Sequence, residues 1–226
     1  MTRSPLPSAT KKGRPRSEQA EKAILRAAAT LLAERGLQGM TIEDVASRAG
    51  VGKASIYRRW SSKGTLALDA FLADFLASQP PPDTGSLEGD MASALAAWVA
   101  TVSGTPTGRA LVGLIAEAQH DPELAVAWRE RVIGPARAQH RGMIERAMLR
   151  GEIPAGSDVD VLMDMLYGPA YHRLLHGHLP LSEGFVGTVV AVVASGAKAG
   201  AAVPAAPGRA GPDAGPEAER ARPADA

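Results

Sequence analysis

Apolar residues recur three and four positions apart along almost the whole interior of this 226-residue chain, which is the spacing of an amphipathic helix. In the first such stretch the apolar face consists of Ile24, Ala28, Leu31 and Leu32. Further along, the same spacing occupies the segments 86–103, 107–119, 122–150, 157–177 and 182–197. The last segment is rich in β-branched residues, but an isolated strand would have nothing to pair with. The pattern therefore predicts an all-α fold of about nine to ten helices.

Glycine, proline and capping residues mark the ends of the helices predicted in the N-terminal part. Thr41 is a residue type that caps helix N-termini, and Gly50 supplies the stop for the helix that follows it. Three consecutive prolines at residues 80–82 end a longer helix, and Pro135 is expected to break or kink the helical stretch around it. The first four helices are predicted at about residues 17–35, 42–49, 53–60 and 62–78.

Charge is distributed unevenly along the chain, although the formal net charge is only +1. Residues 1–64 contain 13 Lys and Arg against 5 Asp and Glu, so this segment carries +8 and the remainder carries −7. A basic segment can condense onto phosphates, whereas an acidic one is repelled by them. The N-terminal quarter is therefore predicted to face nucleic acid.

The composition excludes several classes of protein and site. The chain has no cysteine, which removes disulfides, thiolate zinc sites and thiol nucleophiles. No apolar run reaches the roughly 18 residues of a membrane-spanning helix, and the polar N-terminus lacks the apolar core of a signal peptide. We therefore expect a cytoplasmic protein that does not enter the membrane. No nucleophile or cofactor loop is evident, so neither an enzyme nor a bound cofactor is predicted.

The stretch from Thr41 to Lys63, TIEDVASRAGVGKASIYRRWSSK, has the outline of a helix-turn-helix. Gly50 stands at the sharp turn between two short helices, and the apolar residues of both helices can form a small shared core. The outward face of the second helix then carries cations and hydroxyls, which suit phosphate oxygens and base edges in a major groove. These outward side chains are Lys53, Ser55, Tyr57, Arg58 and Arg59.

The chain resembles the TetR family of bacterial transcription regulators over roughly residues 20–71. The segments that carry the resemblance are EKAILRAAATLLAERG and GMTIEDVASRAGVGKASIYRRWSSKGTLALDAF. The resemblance implies an all-helical homodimer in which a three-helix helix-turn-helix domain is joined by a long helix to a C-terminal helical bundle. It also implies that Tyr57 and Lys63 contact phosphates and that Thr41 contacts DNA. The full set of residues predicted to bind DNA is Thr41, Lys53, Ala54, Ser55, Tyr57, Arg58, Arg59, Trp60 and Lys63.

Composition and resemblance together divide the chain into four parts. Residues 1–16 are predicted to be a disordered basic arm, and residues 199–226 a disordered tail of mostly Ala, Gly and Pro. Residues 17–64 are the predicted DNA-binding domain, and residues 65–198 are the predicted ligand-binding and dimerisation domain. The second of these, which contains LYGPAYHRLLHGHLPL, is similar to an actinobacterial type of TetR C-terminal domain.

The C-terminal domain is expected to hold an unidentified small-molecule effector and to form the homodimer. Some bulky side chains of a ligand-binding bundle line an apolar cavity with a few polar groups. The candidate ligand-binding residues are Phe71, Phe75, Trp98, Ile115, Trp128, Tyr167, Tyr171 and His172. The last two helices are apolar on more than one face, which predicts burial on two sides in a four-helix dimer interface. The candidate interface residues are Val161, Leu162, Met165, Leu166, Leu174, Phe185, Val186, Val189, Val190 and Val193.

These observations predict a sequence-specific, dimeric repressor that a small-molecule ligand releases from a near-palindromic, double-stranded DNA operator. Two alternatives stay open. The first is a non-specific DNA binder that depends on the basic arm, which would lose most of its affinity without residues 1–16. The second is a small metalloenzyme that uses His172, His176 and His178, because imidazole is a common metal ligand and residues four apart share a helix face.

Overall fold

The structure of the chain, a computed structural model, describes residues 14–75 and 81–200, without the side chains of residues 14–16, 74 and 75. Every regular element in these ranges is helical, which confirms the predicted all-α fold. The helices, numbered in chain order, are α1 (Arg14–Gly39), α2 (Ile42–Ala49), α3 (Lys53–Tyr57), α4 (Lys63–Phe75), α5 (Leu87–Val102), α6 (Pro106–Glu117), α7 (Pro122–Trp128), α8 (Gly134–Leu149), α9 (Val159–His176) and α10 (Glu183–Lys198). None of them is both long and apolar enough to cross a lipid bilayer. Most of the predicted arm and tail, residues 1–13 and 201–226, lies outside the described ranges.

Helices α1 and α2 begin and end at or near the residues that the sequence predicts as caps and stops. Thr41 caps α2, because its Oγ1 accepts a hydrogen bond from the backbone N–H of Asp44 at 3.1 Å. Gly50 ends α2 with a φ of 66°, a left-handed conformation that glycine adopts without the steric cost of a Cβ. The first helix begins at Arg14, three residues before its predicted start, and it is interrupted at the predicted stop, Gly36, where φ is 68°.

The helical path widens into a π-helical turn between α7 and α8, at Arg129–Ile133. Pro135 follows in the first turn of α8. In a regular helix, proline has no N–H to donate and its ring collides with the carbonyl four residues back. The wider turn accommodates this ring, and the N–H of Gly134 donates to the carbonyl of Arg129, five residues back. The predicted break at Pro135 is therefore a π-helical turn that lets the helical path continue.

Two groups of buried apolar side chains form the interior of the described residues. The first core joins α1–α4 to α6 and α7, and its fully buried members include Leu31, Leu66 and Leu114. The second core joins α5 to α8, α9 and α10. Trp98 and Leu181 are half-buried and pack against both cores. The predicted DNA-binding helices are thus packed directly against part of the predicted C-terminal domain.

Most of the apolar side chains predicted to form a dimer interface are buried in the chain's own second core. These side chains are Leu162, Leu166, Phe185, Val186, Val190 and Val193. Within the single chain, α5 and α8 cover this face of α9 and α10. The other candidates, Val161, Leu174 and Val189, are half-buried, and Met165 is 47% exposed. The predicted interface set is thus divided between the interior of the single chain and its surface.

Candidate DNA interface and effector site

The helices α2 and α3 meet at the turn of residues 50–52 and share a small core. Val45 of α2 and Ile56 of α3 are both fully buried. The third helix ends at Tyr57 instead of the predicted residue 60, and Trp60 folds back into the core, where it is 5% exposed. This packing directs the opposite side of α3 outward, which is the position of the recognition helix in a helix-turn-helix.

Tyr57 and Arg58, at the end of α3, stand on its outward side. Tyr57 is 55% exposed and Arg58 is also exposed. Among the residues that the structure describes, neither side chain has a hydrogen-bond or ion-pair partner. A phenol and a guanidinium in adjacent, unpaired positions can donate to phosphate oxygens and to base edges without first breaking a bond within the chain.

Other cations around this surface are already paired within the chain. Lys53 Nζ lies 2.8 Å from Glu43 Oε1 on α2, and Arg48 donates two hydrogen bonds to the carboxylate of Glu34. The hydrogen bond between Lys53 and Glu43 lowers the pKa of the glutamate and raises the pKa of the lysine, so both groups are charged near neutral pH. The outward surface therefore contains an ionised carboxylate that competes with phosphates for Lys53.

Replacing Glu43 with Gln is expected to strengthen binding to DNA of random sequence by about three- to tenfold. The substitution removes a negative charge from the outward surface and frees Lys53 to pair with a phosphate. Fluorescence anisotropy of a labelled random-sequence duplex at about 0.15 M salt measures the dissociation constant, and a salt titration should show a slope steeper by about one. Glu145→Gln on α8 is the matched control. It removes the same charge at a position far along the chain from α2 and α3. An unchanged non-specific affinity for Glu43→Gln would contradict the prediction.

Arg59 is turned inward and joins the end of the recognition helix to the start of α1. Its Nη2 donates to the backbone carbonyl of Ser17 at 3.2 Å and to Ser17 Oγ at 2.5 Å. Its Nη1 donates to the carbonyl of Ser55 at 3.2 Å, and its Nε lies 3.7 Å from Glu21 Oε2. Only 17% of the Arg59 side chain is exposed. This residue of the predicted DNA-binding set therefore holds two helices together.

The substitution Arg59→Ala is expected to make the amide hydrogens in the first turns of α1 exchange about tenfold faster in the free protein. It removes the charged hydrogen bonds to Ser17 and the ion pair with Glu21, which tie the start of this helix to α3. Hydrogen exchange followed by mass spectrometry measures the effect. Arg58→Ala removes the same kind of side chain one position away, where it has no hydrogen-bond or ion-pair partner among the described residues, and should leave this exchange unchanged. Equal exchange in the two variants would mean that the contacts of Arg59 add no local stability.

The remaining residues predicted to bind DNA are divided between the surface and the interior. At the surface, the predicted set includes three small side chains: Thr41 and Ala54 are exposed, and Ser55 is half-buried. Lys63 Nζ donates to the carbonyl of Leu37 at 3.0 Å, so it satisfies a backbone group near the end of α1. Trp60 Nε1 donates to Asp69 Oδ2 at 2.7 Å from its buried position, which makes Trp60 part of the core.

The turn between α3 and α4 is hydrogen-bonded to the start of α7, a contact that sequence reasoning missed. Ser61 Oγ donates to the carboxylate of Glu123 at 2.8 Å, and Ser62 Oγ donates to Asp121 Oδ2 at 3.1 Å. A Cβ on Gly64 would lie 2.9 Å from a leucine side chain of α7, so glycine at this position permits the close approach. The signal in the sequence is the Asp-Pro pair at residues 121–122, which marks a helix start but does not indicate what the helix touches.

A second connection runs from the end of the recognition helix to the π-helical turn. Asp69 on α4 accepts the hydrogen bond from Trp60 on one carboxylate oxygen. Its other oxygen, Oδ1, lies 2.6 Å from Arg131 Nη1 in the π-helical turn. Such turns occur frequently at functional positions of helices. Asp69 therefore links the DNA-binding part of the chain to a local irregularity in the C-terminal part.

The residues predicted to bind the effector fall into two separate groups. Phe71 and Trp128, whose ring centroids are 6.1 Å apart, belong to the first core, and the half-buried Ile115 packs against that core. A cavity of about 30 Å³ between α1, α4 and α6 has Phe71 in its wall. His172 is exposed, and the side chain of Phe75 lies outside the described residues.

The second group is an aromatic cluster formed by Trp98, Tyr167, Tyr171 and a residue that sequence reasoning missed, His140. The centroid of the Trp98 ring system lies 6.2 Å from that of Tyr167 and 4.9 Å from that of Tyr171, and the His140 ring lies 5.6 Å from Tyr167. Burial raises the pKa of both tyrosines and lowers the pKa of His140. The aromatic cluster is therefore uncharged near neutral pH.

Three histidines lie close together at the end of α9 and in the loop that follows. The ring centroid of His172 is 4.7 Å from that of His176 and 4.9 Å from that of His178, and the latter two are 6.4 Å apart. All three are exposed. Within residues 14–75 and 81–200, no group of three His, Cys, Asp or Glu side chains is placed to hold a metal ion. This geometry gives no support to the metalloenzyme alternative.

Comparison with known families finds two matches that together span most of the chain. Residues 24–70 match the model described as bacterial regulatory proteins of the tetR family. Residues 81–193 match the model described as the C-terminal domain of tetracycline-repressor-like proteins. The first match covers α2 and α3 and most of α1 and α4, so it includes the whole outward surface described above.

Individual relatives match over both parts of the chain. It is 40% identical over 169 residues to YdeS, an uncharacterised HTH-type transcriptional regulator of Bacillus subtilis, an alignment that covers 74% of this chain and 83% of YdeS. It is 33% identical to the DNA-binding transcriptional repressor TetR of Mycobacteroides abscessus, covering 77% and 92% of the two chains. The crystal structure of the TetR family transcription regulator SCO0332 superposes with a TM-score of 0.67 and 36% identity, covering 79% of this chain and 98% of that one.

Proposed function

The chain belongs to the TetR family of helix-turn-helix transcriptional regulators, and we propose that it is a dimeric repressor that a small-molecule effector releases from a near-palindromic operator. The observation that carries the proposal is the pair Tyr57 and Arg58 at the end of α3, which are exposed and have no hydrogen-bond or ion-pair partner among the described residues, while Lys53 and Arg59 are bound within the chain. The M. abscessus relative is named as a repressor, which supports this direction of regulation.

In this proposal α3 enters the major groove of the operator. Arg58 donates to a base edge or a phosphate, and the Tyr57 hydroxyl donates to a phosphate. Lys53 exchanges Glu43 for a phosphate only when α3 is seated in the groove. Arg59 acts as a positioning residue, because its contacts set the angle between α3 and α1.

We assign the dimer interface to the outward face of α9 and α10. Met165 is 47% exposed, Leu175 is 42% exposed and Val192 is 62% exposed. The exposed positions between them hold residues whose small size lets two helices approach closely: Gly168, Gly184, Gly187, Ala191 and Gly196. A two-fold axis at this face would pair identical surfaces, and the two α3 helices would need to lie about 34–36 Å apart to enter successive major grooves.

Replacing Val192 with Glu is expected to weaken dimerisation at least about tenfold, because the interface would have to bury a carboxylate without a partner. The side chain is mostly exposed in one protomer, so the helical content should stay the same. Sedimentation velocity at micromolar concentrations measures the dimer fraction, and circular dichroism checks the fold. Leu149→Glu is the matched control, since Leu149 on α8 is 88% exposed and lies outside the proposed interface. A Val192→Glu protein as dimeric as the parent would rule out this interface.

The effector is proposed to act on DNA binding through α4. This helix packs against α6 and α7, and Asp69 on it joins the end of the recognition helix to the π-helical turn. With about 1.5 Å of rise per residue, α4 spans roughly 18 Å from Lys63 to its last residue. A tilt of α4 therefore changes the spacing of the two recognition helices. An effector that binds the DNA-incompetent arrangement more tightly shifts the population toward it.

Selection from a library of random duplexes tests the proposed function. The full chain is incubated with the library at about 0.15 M salt, because phosphate contacts make affinity depend on salt. We expect enrichment of a near-palindromic motif whose half-sites lie about one helical turn apart, or a multiple of it. Deletion of residues 1–16 should lower the affinity but keep the motif. Absence of any motif, together with loss of binding on this deletion, would favour the non-specific binder instead.

A further inference from the structure

The hydroxyl of Tyr167 is buried without a hydrogen-bond partner among the described residues. Less than 1 Å² of its oxygen atom is accessible to solvent. Folded proteins leave few buried polar atoms unpaired, and such an atom calls for a specific explanation, for instance a partner that binds only in the functional complex. The neighbouring Tyr171 differs, because its hydroxyl is not among the buried atoms that lack a partner. Tyr167 therefore holds a donor that is available to a ligand.

The surroundings of this hydroxyl limit the chemistry of a partner. The Tyr167 ring lies against Trp98 of α5 and His140 of α8, and Trp98 also lies against Tyr171, which follows Tyr167 by four residues on α9. The pKa of His140 is lowered by burial, so this ring contributes no positive charge near neutral pH. These groups stack well on a flat, uncharged ring system and offer no cation to neutralise a negative charge on a ligand.

The nearest cations along α8 are engaged elsewhere. Arg137 lies 2.9 Å from Asp160 Oδ1 and 2.5 Å from Asp164 Oδ1. Arg141, one residue after His140, lies 3.2 Å from Asp160 Oδ1. A carboxylate or phosphate on the ligand would therefore have to break this network to find a counterion. The aromatic cluster thus disfavours anions. Ring faces alone could attract an ammonium cation, but the unpaired hydroxyl donor favours a ligand that carries an acceptor over such a cation, which has none.

We propose that the aromatic cluster is the effector site, and that the effector is an uncharged, planar aromatic compound whose carbonyl oxygen accepts a hydrogen bond from Tyr167. This inference rests on the proposed function, for which it names the chemical class of the effector. The rings stack on Trp98 and Tyr171, and the single donor sets the orientation of the carbonyl. The matching of one donor to one acceptor provides the specificity.

Helix α9 contains an internal proline beside this site, where the helix can bend. Pro169 lies inside α9, between Tyr167 and Tyr171. It cannot donate to the carbonyl of Met165, four residues back, and helices bend readily at such a proline. The rings lie against one another, so a ligand enters by moving this part of α9 away from α5. Trp98 packs against both cores, which carries the displacement to the core that contains α3 and α4.

Calorimetric titration of the full chain with three matched compounds tests the proposal. 2-Acetylnaphthalene is flat, uncharged and has a carbonyl acceptor; 2-ethylnaphthalene has the same shape without the acceptor; 2-naphthoate is an anion. We expect 2-acetylnaphthalene to bind at least about tenfold more tightly than either of the others, because an unmet donor in the site penalises a ligand without an acceptor. Tyr167→Phe should remove this preference, so that the acetyl and ethyl compounds bind within about threefold of each other.

Thermal unfolding of the same variant separates this role from a structural one. If the hydroxyl has no partner in the free protein, Tyr167→Phe should keep or raise the melting temperature. A clear fall in melting temperature, equal binding of the acetyl and ethyl compounds to the parent, tightest binding of 2-naphthoate, or no binding of any compound up to its solubility limit would each overturn the proposal. Failure of the proposed function would appear separately, as the absence of an enriched motif in the duplex selection, which uses none of these compounds.

Discussion

Replacing Asp90 with Ala lowers the free energy of unfolding by about 3 kcal/mol, the lower end of the cost of breaking a buried ion pair, because the Arg146 side chain is itself 30% exposed. Asp90 on α5 is fully buried, and its Oδ2 lies 3.3 Å from Arg146 Nη2 on α8. Its Oδ1 accepts hydrogen bonds from the backbone N–H and the Oγ1 of Thr84, at 2.6 and 2.8 Å. Alanine leaves a guanidinium and a backbone N–H without these acceptors.

Urea unfolding, followed by circular dichroism, measures this loss for each variant. Glu88→Ala is the matched control on the same helix: Glu88 lies 3.0 Å from Lys198, but both side chains are about half exposed. Such a surface pair contributes about 0–1 kcal/mol. Asp90→Asn keeps an acceptor for Thr84 and removes only the charge, so its loss should lie between the two. Similar losses in the free energy of unfolding for Asp90→Ala and Glu88→Ala would show that the Asp90–Arg146 pair stabilises the fold no more than an exposed pair does.

The same contact explains how the segment after the prolines is held. Arg146 also donates to the carbonyl of Pro82 at 2.5 Å and lies 3.4 Å from Asp83 Oδ1. Asp90 and Arg146 thus join α5, α8 and the start of the C-terminal part at one point. The Asp90→Ala variant is therefore expected to loosen the second core while α2 and α3, which belong to the first core, keep their packing.

Arg58→Ala is expected to weaken binding to the selected operator by about 100-fold or more. A base contact of this kind contributes about 1–3 kcal/mol, and a dimer loses one from each protomer. Because Arg58 is exposed and has no partner within the described part of the chain, its removal leaves no unpaired group behind and should not change stability. The loss therefore reports on the complex with DNA alone.

Fluorescence anisotropy with the selected duplex and a scrambled duplex, at one salt concentration, separates base reading from phosphate contact. Arg58→Ala should reduce the difference between the two duplexes, whereas Tyr57→Phe should weaken both by a similar factor, since a phosphate contact carries no sequence information. Arg150→Ala serves as the control of equal charge, because Arg150 lies at the end of α8, whose main packing partners are α5, α9 and the π-helical turn. If Arg58→Ala kept full preference for the operator, sequence would be read elsewhere than on α3.

Several residues show why the sequence did not predict the tertiary partners. Glu43 and Asp90 are both acidic residues in the first turn of a helix, where a carboxylate is favourable in any helix. One is exposed beside Lys53, and the other is fully buried against Arg146. The position in the helix is the same, and the difference comes from what packs on top of it.

Neighbouring residues can also take opposite roles. Arg58 and Arg59 are adjacent and chemically identical, but Arg58 has no hydrogen-bond or ion-pair partner in the described part of the chain and Arg59 binds Ser17, 42 positions away. Periodicity predicted that α3 has an outward face, and it could not predict that the guanidinium of Arg59 reaches the start of α1. Likewise, the apolar pattern of α9 and α10 indicated burial on two sides without indicating that α5 and α8 cover the side that holds Leu166 and Val190.

The sequence by itself determined the all-helical fold, the helix ends at Thr41 and Gly50, the helix-turn-helix and its family. These features depend on residues within one or two turns of each other, so local spacing is sufficient to specify them. Only the tertiary structure decided which cations are free, that Asp90 is buried, and that Tyr167 keeps an unpaired hydroxyl among aromatic rings from three helices. Each of these depends on which distant segment covers a given face, and that is a property of packing rather than of local order along the chain.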